Sequence, residues 1–134
     1  MIWRDYIMFE QDYIMRQIKE ITAVIAKVVF DAKVEKSFEL LQEVEKQKAY
    51  TLIEQMNNGQ INEAVEELDK LTEENTVDNL MIGLSFYSHL SDLDEEQFEL
   101  AAYTFAQGRR DFERFANKFG WKGITDLYFG NDDD

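Results

Sequence analysis

Residues 14–32 read IMRQIKEITAVIAKVVFDA, and the spacing of their apolar side chains decides the fold. Six of them follow one another at alternating intervals of four and three residues: Ile14, Ile18, Ile21, Ile25, Val28 and Ala32. Side chains at this spacing lie along one stripe of an α-helix, so the helix docks against other helices through that stripe. The stripe predicts how the chain is assembled and carries no chemistry of its own.

The same helical periodicity continues along the chain and predicts an all-α, single-domain bundle of five to six helices arranged as antiparallel hairpins. Helix one is expected over about 10–32, as the central element, and residues 1–8 are either an extension or an earlier start of that helix. Further helices are expected over 35–56, 62–73, 77–90, 94–108, 112–119 and 124–129, with the two around Gly108 forming one kinked or briefly broken helix. The acidic tail, 130–134, is expected to fray.

Helix boundaries are predicted from capping residues. Asn62 and Thr76 are candidate N-caps, because short polar side chains accept hydrogen bonds from the free amides of a first helical turn. Asp94 followed by Gln97 has a variant capping-box pattern. Gly120 is expected to end the helix before it, because glycine readily adopts the left-handed backbone found there.

Composition and charge exclude several classes of function. The 134 residues include no cysteine and no proline, so there is neither a thiolate nucleophile nor a cysteine-ligated zinc, and a reducing cytoplasm suits the chain. The net charge of −14 disfavours binding to nucleic acid or to an anionic membrane. The most apolar stretch, 21–30, is about half the length of a membrane-spanning helix, so no integral membrane association is expected.

No arrangement of residues predicts a catalytic centre, a cofactor site or a metal site. His89 is the single histidine, and it is either a surface or capping side chain near a helix end or, less simply, a functional one. Asp92 and Asp94 alternate as calcium ligands do, but a calcium loop then needs glycine at its sixth position, which here is Gln97. The sequence therefore predicts no cofactor and no enzymatic activity.

One basic face is predicted on the helix after Gly108. Arg110, Arg114 and Lys118 are four residues apart and therefore share a face, close to phenylalanines that fall at core spacing. The face is expected to neutralise acidic helices of the same molecule or of a partner. A phosphate or nucleic-acid site is the alternative.

Three segments of the chain resemble a family of small, acidic, helical bacterial proteins known only as a domain of unknown function. The segments are FEQDYIMRQIK at 9–19, NGQINEA at 58–64 and FYSHL at 86–90, with FANKFG at 115–120 as a further similarity. The resemblance covers nearly the whole chain from Phe9 onward. It implies a cytoplasmic helical protein and brings no activity, cofactor or site residue with it.

The middle of the chain also resembles half of a tetratricopeptide repeat. Gly59, Ala64 and Leu68 fall where such a repeat has its turn and its second helix. The first-helix positions do not match, and the pattern does not return one period later, whereas a solenoid needs about three stacked repeats. The segment is therefore interpreted as an ordinary helical hairpin.

The sequence predicts a non-enzymatic, cytoplasmic protein–protein interaction or self-association module. The partner is expected to be a second copy of the chain or another helical protein, and the predicted contact surface is the stripe on helix one: Ile14, Ile18, Ile21, Ile25 and Val28. The alternative is a small ligand-binding protein or enzyme whose cleft is not visible in the sequence.

Overall fold

The computed structural model describes the backbone of residues 2–130 and the side chains of residues 13–130. Within these residues the chain forms eight α-helices and no strand. They are α1 (Ile2–Phe30), α2 (Val34–Glu39), α3 (Glu43–Asn57), α4 (Ile61–Leu71), α5 (Val77–Leu90), α6 (Glu95–Leu100), α7 (Phe105–Lys118) and α8 (Lys122–Phe129). The all-α prediction is confirmed, whereas the predicted number of five to six helices is too low. Met1 and residues 131–134, which belong to the tail that was predicted to fray, lie outside the described residues.

Helix one starts at Ile2, so the earlier start is the correct alternative. The next predicted helix differs from the structure, because apolar periodicity continues across a short break. The predicted helix over 35–56 is two helices, because the amides of Leu40 and Leu41 bond carbonyls only three residues back and the chain turns there. Leu41 is buried on the inner side of this turn, and Leu40 is 76% exposed.

Gly108 neither kinks nor breaks the helix that contains it, so this prediction was wrong. The break lies earlier, where Ala102 adopts a left-handed backbone with φ of 52°, and α7 then starts behind a capping box formed by Thr104 and Gln107. Gly108 is buried within α7, and a Cβ atom there would lie 3.3 Å from the Met15 methyl group of α1. Glycine at this position allows α1 and α7 to pack closely.

The capping predictions had mixed outcomes. Thr76 accepts a hydrogen bond from the amide of Asn79, and Asp94 forms the expected capping box with Gln97, so both are confirmed. Asn62 is not an N-cap, because α4 already starts at Ile61 and the Asn62 side-chain amide donates to the carbonyl of Ala101 at 3.4 Å. That bond ties the start of α4 to the segment after α6.

The central helix of the bundle is α5. Ten of its fourteen residues are buried, and α1, α2 and α3 pack against it. Helix one, predicted as the central element, packs against α2, α5, α7 and α8 but is less enclosed than α5. It buries only one side: Ile18, Ile21 and Ile25 are fully buried, whereas Arg16, Glu20 and Lys27 on the opposite side are exposed.

Packing between α5 and α7 is closest at Gly83. An ideal Cβ atom on Gly83 would lie 1.8 Å from the tip of the Phe115 ring. That ring is 1% exposed and packs against Tyr87, at 5.6 Å between centroids, and against Phe119, at 4.8 Å. A glycine at this point lets an aromatic ring lie directly on the helix backbone.

Among the described residues, no helix combines the length and the apolar character needed to cross a bilayer.

Candidate functional site

The stripe predicted as a contact surface lies largely inside the chain's own core. Ile18, Ile21 and Ile25 have no exposed surface, and Ile14 is half-buried against the core. No partner can reach the three buried isoleucines in this fold. Of the five predicted residues, Val28 alone presents an exposed apolar side chain to solvent.

A groove runs along one side of α5 and is bordered by α1, α2 and α3. It consists of two adjoining cavities. The first measures about 540 Å³ and is bordered by Lys19, Lys27 and Lys33, with Glu35 as its acidic residue. We call this cavity the lysine lobe.

The second cavity measures about 350 Å³, and we call it the carboxylate lobe. Its charged residues are Glu35, Glu39 and Asp92, opposed by Lys19. An aromatic pair, Phe38 and Tyr50, forms part of its wall, with ring centroids 5.4 Å apart in an edge-on arrangement. Four residues line both lobes: Lys19, Val34, Glu35 and Ser88. The groove is therefore continuous, with opposite charge at its two ends.

Hydroxyl groups of α5 lie along the groove. Ser88 is 7% exposed and lines both lobes, and Ser85 is 9% exposed and lines the carboxylate lobe. The Ser85 Oγ atom is buried and has no hydrogen-bond partner among the described residues. A buried hydroxyl without a hydrogen-bond partner lowers the stability of the folded protein. The position of the Ser85 hydroxyl is therefore not explained by a contribution to folding.

Ion pairs already engage part of the groove. Lys19 Nζ lies 2.6 Å from Asp92 Oδ2, which joins α1 to the turn that follows α5. Lys27 Nζ lies 2.7 Å from Asp31 Oδ1. Lys33 takes part in none of the ion pairs found within residues 13–130. Its ammonium group is therefore the lysine-lobe charge that is most available to a ligand.

His89 lies at the rim of the carboxylate lobe and connects α5 to α3. Its Nε2 atom lies 2.7 Å from Asn57 Oδ1, so the histidine anchors the end of α3. It forms no hydrogen bond with either serine of the groove within the described residues. Burial lowers the pKa of His89, an effect that Lys19 reinforces and Asp92 partly opposes. The imidazole is therefore neutral at pH 7 and donates through Nε2 to the asparagine oxygen.

We expect the folded protein to lose stability as the pH falls below about 6.5, the ordinary histidine value. The folded pKa of His89 is lower than the unfolded one, so between the two values the unfolded chain binds the extra proton. The loss begins near pH 6.5 and is complete once the pH passes the folded pKa. Urea unfolding from pH 7.5 down to 5.5 measures it, and the control His89→Gln lacks the titrating group. Equal slopes for the two proteins would contradict the assignment.

A separate polar network joins α4, α7 and the segment between α6 and α7. Tyr103 Oη donates to Asp111 Oδ2 at 2.6 Å, and Arg114 bridges Asp111, at 2.8 Å, and Asp69 of α4, at 2.7 Å. Burial raises the pKa of both Tyr103 and the fully buried Tyr87 well above the ordinary value of 10.0. Both phenols therefore stay protonated, and the network acts as a structural clamp.

Two residues of the predicted basic face are engaged within the chain. Arg114 is the bridge just described, and Lys118 donates to Thr72 Oγ1 at 3.2 Å while lying 5.3 Å from the Phe119 ring centroid. The Phe115 ring near this face is buried. Arg110 is exposed. Arg114 neutralises an acidic helix of the same molecule, in the way that the sequence favoured.

The groove residues were missed by sequence analysis, although α5 carries a signal that could have found them. The stretch LMIGLSFYSHL, residues 80–90, places Gly83 and two serines inside a helix that is otherwise apolar. Polar residues three apart on a buried helix need partners, and a cleft beside that helix is one place to find them. No group of His, Asp and Glu residues within the described chain is arranged to hold a metal ion.

The model of a family of unknown function, DUF6483, matches residues 8–113, which include α2–α6 and the groove. This agrees with the resemblance seen in the segments from Phe9 onward. Neither the curated proteins nor the solved structures contain a significant match to the chain.

Proposed function

Because the chain belongs to a family of unknown function, DUF6483, whose description assigns no activity, we propose a function from its surface: a non-enzymatic, self-associating helical module. The observation behind this proposal is the position of its exposed apolar side chains. Nine large ones are exposed among the described residues, and four of the nine fall within the 22 residues of segment 27–48. They are Val28, Val29, Leu40 and Val44.

The charge of this segment favours a second copy of the chain as the partner. Segment 27–48 carries five acidic and five basic residues, whereas the whole chain has a net charge of −14. Two copies with that charge repel each other, and the repulsion is least where the contacting surface is locally neutral. The exposed apolar side chains fall in a segment without net charge, which supports an isologous contact between two copies.

The dimensions of the segment suit such a contact. Helix α2 packs against α1, and its six residues span about 9 Å of helix. A standard interface covers about 800 Å² on each partner, close to one tenth of the chain's accessible surface of 8086 Å². We propose that the end of α1, α2 and the start of α3 form this part of the surface.

Two features support a role without catalysis. His89 Nε2 is engaged by Asn57, and within residues 13–130 no hydrogen bond joins His89 to the hydroxyl of Ser85 or Ser88. The phenols of Tyr87 and Tyr103 are held in the protonated form by burial. A cytoplasmic location suits a chain that contains no cysteine.

The molar mass in solution tests the proposal. Light scattering after size exclusion, over a dilution series, is expected to give twice 15.8 kDa at high concentration and a fall toward the monomer on dilution. Added salt is expected to strengthen the dimer, because it screens repulsion between two negatively charged copies. A monomer at every concentration and salt level would overturn self-association and leave a different helical protein as the partner to seek.

A pair of matched variants locates the contact. The double variant Leu40→Lys, Val44→Lys is expected to raise the dissociation constant of the dimer at least about tenfold, because two ammonium groups would enter an apolar interface. Leu100→Lys with Leu127→Lys is the control, since those leucines are 79% and 78% exposed and the same two charges are added. Both pairs reduce the net negative charge equally, so general repulsion does not explain a difference. Equal weakening by the two pairs would place the interface elsewhere.

A further inference from the structure

We propose that the groove beside α5 binds a small zwitterion, with its ammonium group in the carboxylate lobe and its carboxylate group in the lysine lobe. The groove adjoins the segment proposed for self-association, because Lys33, Glu35 and Phe38 belong to both. The two leucine and valine side chains tested for the dimer contact, Leu40 and Val44, line neither lobe. It names a ligand class for a cleft that the sequence did not reveal.

The distribution of charge along the groove determines the class of ligand. Three lysines and three carboxylates line it in total, so a ligand with no net charge matches the groove as a whole. The basic and acidic residues are segregated, however: Lys27 and Lys33 line only the lysine lobe, and Glu39 and Asp92 line only the carboxylate lobe. A simple amine or a simple acid complements one end only, whereas a zwitterion complements both.

The Ser85 hydroxyl provides an independent indication of a ligand. The residue is nine-tenths buried, its Oγ atom has no partner among the described residues, and it lines the carboxylate lobe. An ammonium group has three donors, and a hydroxyl oxygen has two acceptor lone pairs. An ammonium placed in this lobe would satisfy Ser85 and would also lie near Ser88, the second buried serine of the groove.

The walls between the charged ends suit an apolar ligand body. Val34 lies where the two lobes meet, and Phe38 with Ile53 adds apolar surface to the carboxylate lobe. The two cavities measure about 540 Å³ and about 350 Å³, a range typical of sites for small molecules. A methylene chain between the two charged groups would contact these side chains.

The test uses three probes that differ in charge alone. Straight-chain 6-aminohexanoate carries both groups, hexylamine carries only the ammonium, and hexanoate carries only the carboxylate. Each probe is titrated into isotope-labelled protein, and the backbone amide signals are monitored by NMR. We expect the zwitterion to bind at least about tenfold more tightly than either of the other two probes. The shifted amides are expected to include those of Lys33, Ser85 and Ser88. Equal binding of the three probes, an absence of saturable binding, or shifts confined to other surfaces would overturn the proposal.

Two serine variants separate recognition from folding. Ser85→Ala removes the unpartnered hydroxyl, so we expect about tenfold weaker binding of 6-aminohexanoate together with an unchanged or higher Tm of the free protein. Ser37→Ala is the matched control, because Ser37 is also a buried helical serine but donates to the carbonyl of Lys33 at 2.9 Å. It is expected to lower the Tm and leave the affinity unchanged. A loss of Tm in Ser85→Ala equal to that in Ser37→Ala would overturn the argument, since the hydroxyl would then be satisfied within the protein.

Discussion

Replacement of both Ile18 and Ile25 by aspartate is expected to abolish the folded state. Both side chains are fully buried in the core. Burying a carboxylate without a partner costs several kcal/mol, and each substitution also loses about 2–5 kcal/mol of apolar packing. Together these losses exceed the roughly 5–15 kcal/mol by which a domain of this kind is stable. Far-ultraviolet circular dichroism and the loss of a cooperative thermal transition measure the effect.

Val28→Asp is the control for this experiment. Val28 belongs to the same helix and the same stripe, but it is 66% exposed, so the variant is expected to remain folded. A double variant that kept its helical content and changed only from dimer to monomer would contradict the structure. In that case the isoleucines would lie at an interface between chains.

Gly83→Ala is expected to lower the free energy of unfolding by about 3 kcal/mol, at the upper end of the usual cost of overpacking. The added methyl group would lie 1.8 Å from an atom of the Phe115 ring, far inside contact distance. The ring has no free direction in which to retreat, because it is enclosed by Tyr87, Phe119 and the rest of the core. Urea unfolding of the variant and of the wild type measures the difference.

The matched substitution is Gly123→Ala. Gly123 also lies within a helix, but no atom would come within 4 Å of a Cβ placed there. Alanine favours helix over glycine by up to about 1 kcal/mol, so this variant is expected to be as stable as the wild type or more stable. Similar destabilisation by the two substitutions would show that the contact with Phe115 is not the cause.

The fold class and most helices could be predicted because helix formation follows from local apolar periodicity. Thr76 and the Asp94–Gln97 pair were also predictable, since capping depends on residues within one turn. The break after Leu40 and the continuous helix through Gly108 were not. Both depend on what the segment packs against: Leu41 turns into the core, and Gly108 faces the Met15 methyl group of α1.

The two serines of α5 indicate a cleft beside that helix, but the rest of the groove could not be predicted, because its residues come from α1, α2 and α3, which only the tertiary fold brings against α5. Lys19 and Asp92 form one ion pair across 73 residues, and nothing local to either residue indicates the other. Periodicity also does not distinguish an apolar stripe that meets the chain's own core from one that meets a partner. For that reason the stripe on α1 predicted a docking helix correctly, while the surface available to a partner is found at Val28 and beyond.

The order in which the helices pack has a consequence for synthesis on the ribosome. Helix α1 is made first, yet it packs against α5, α7 and α8, and the last of these ends at Phe129. At roughly 5–20 residues per second, Ile18 waits about 5–20 s before its last helical neighbours have been polymerised. During that interval the isoleucine stripe is an unshielded apolar surface on a nascent chain. A chaperone that binds short apolar segments near the exit tunnel would find its target in this first helix.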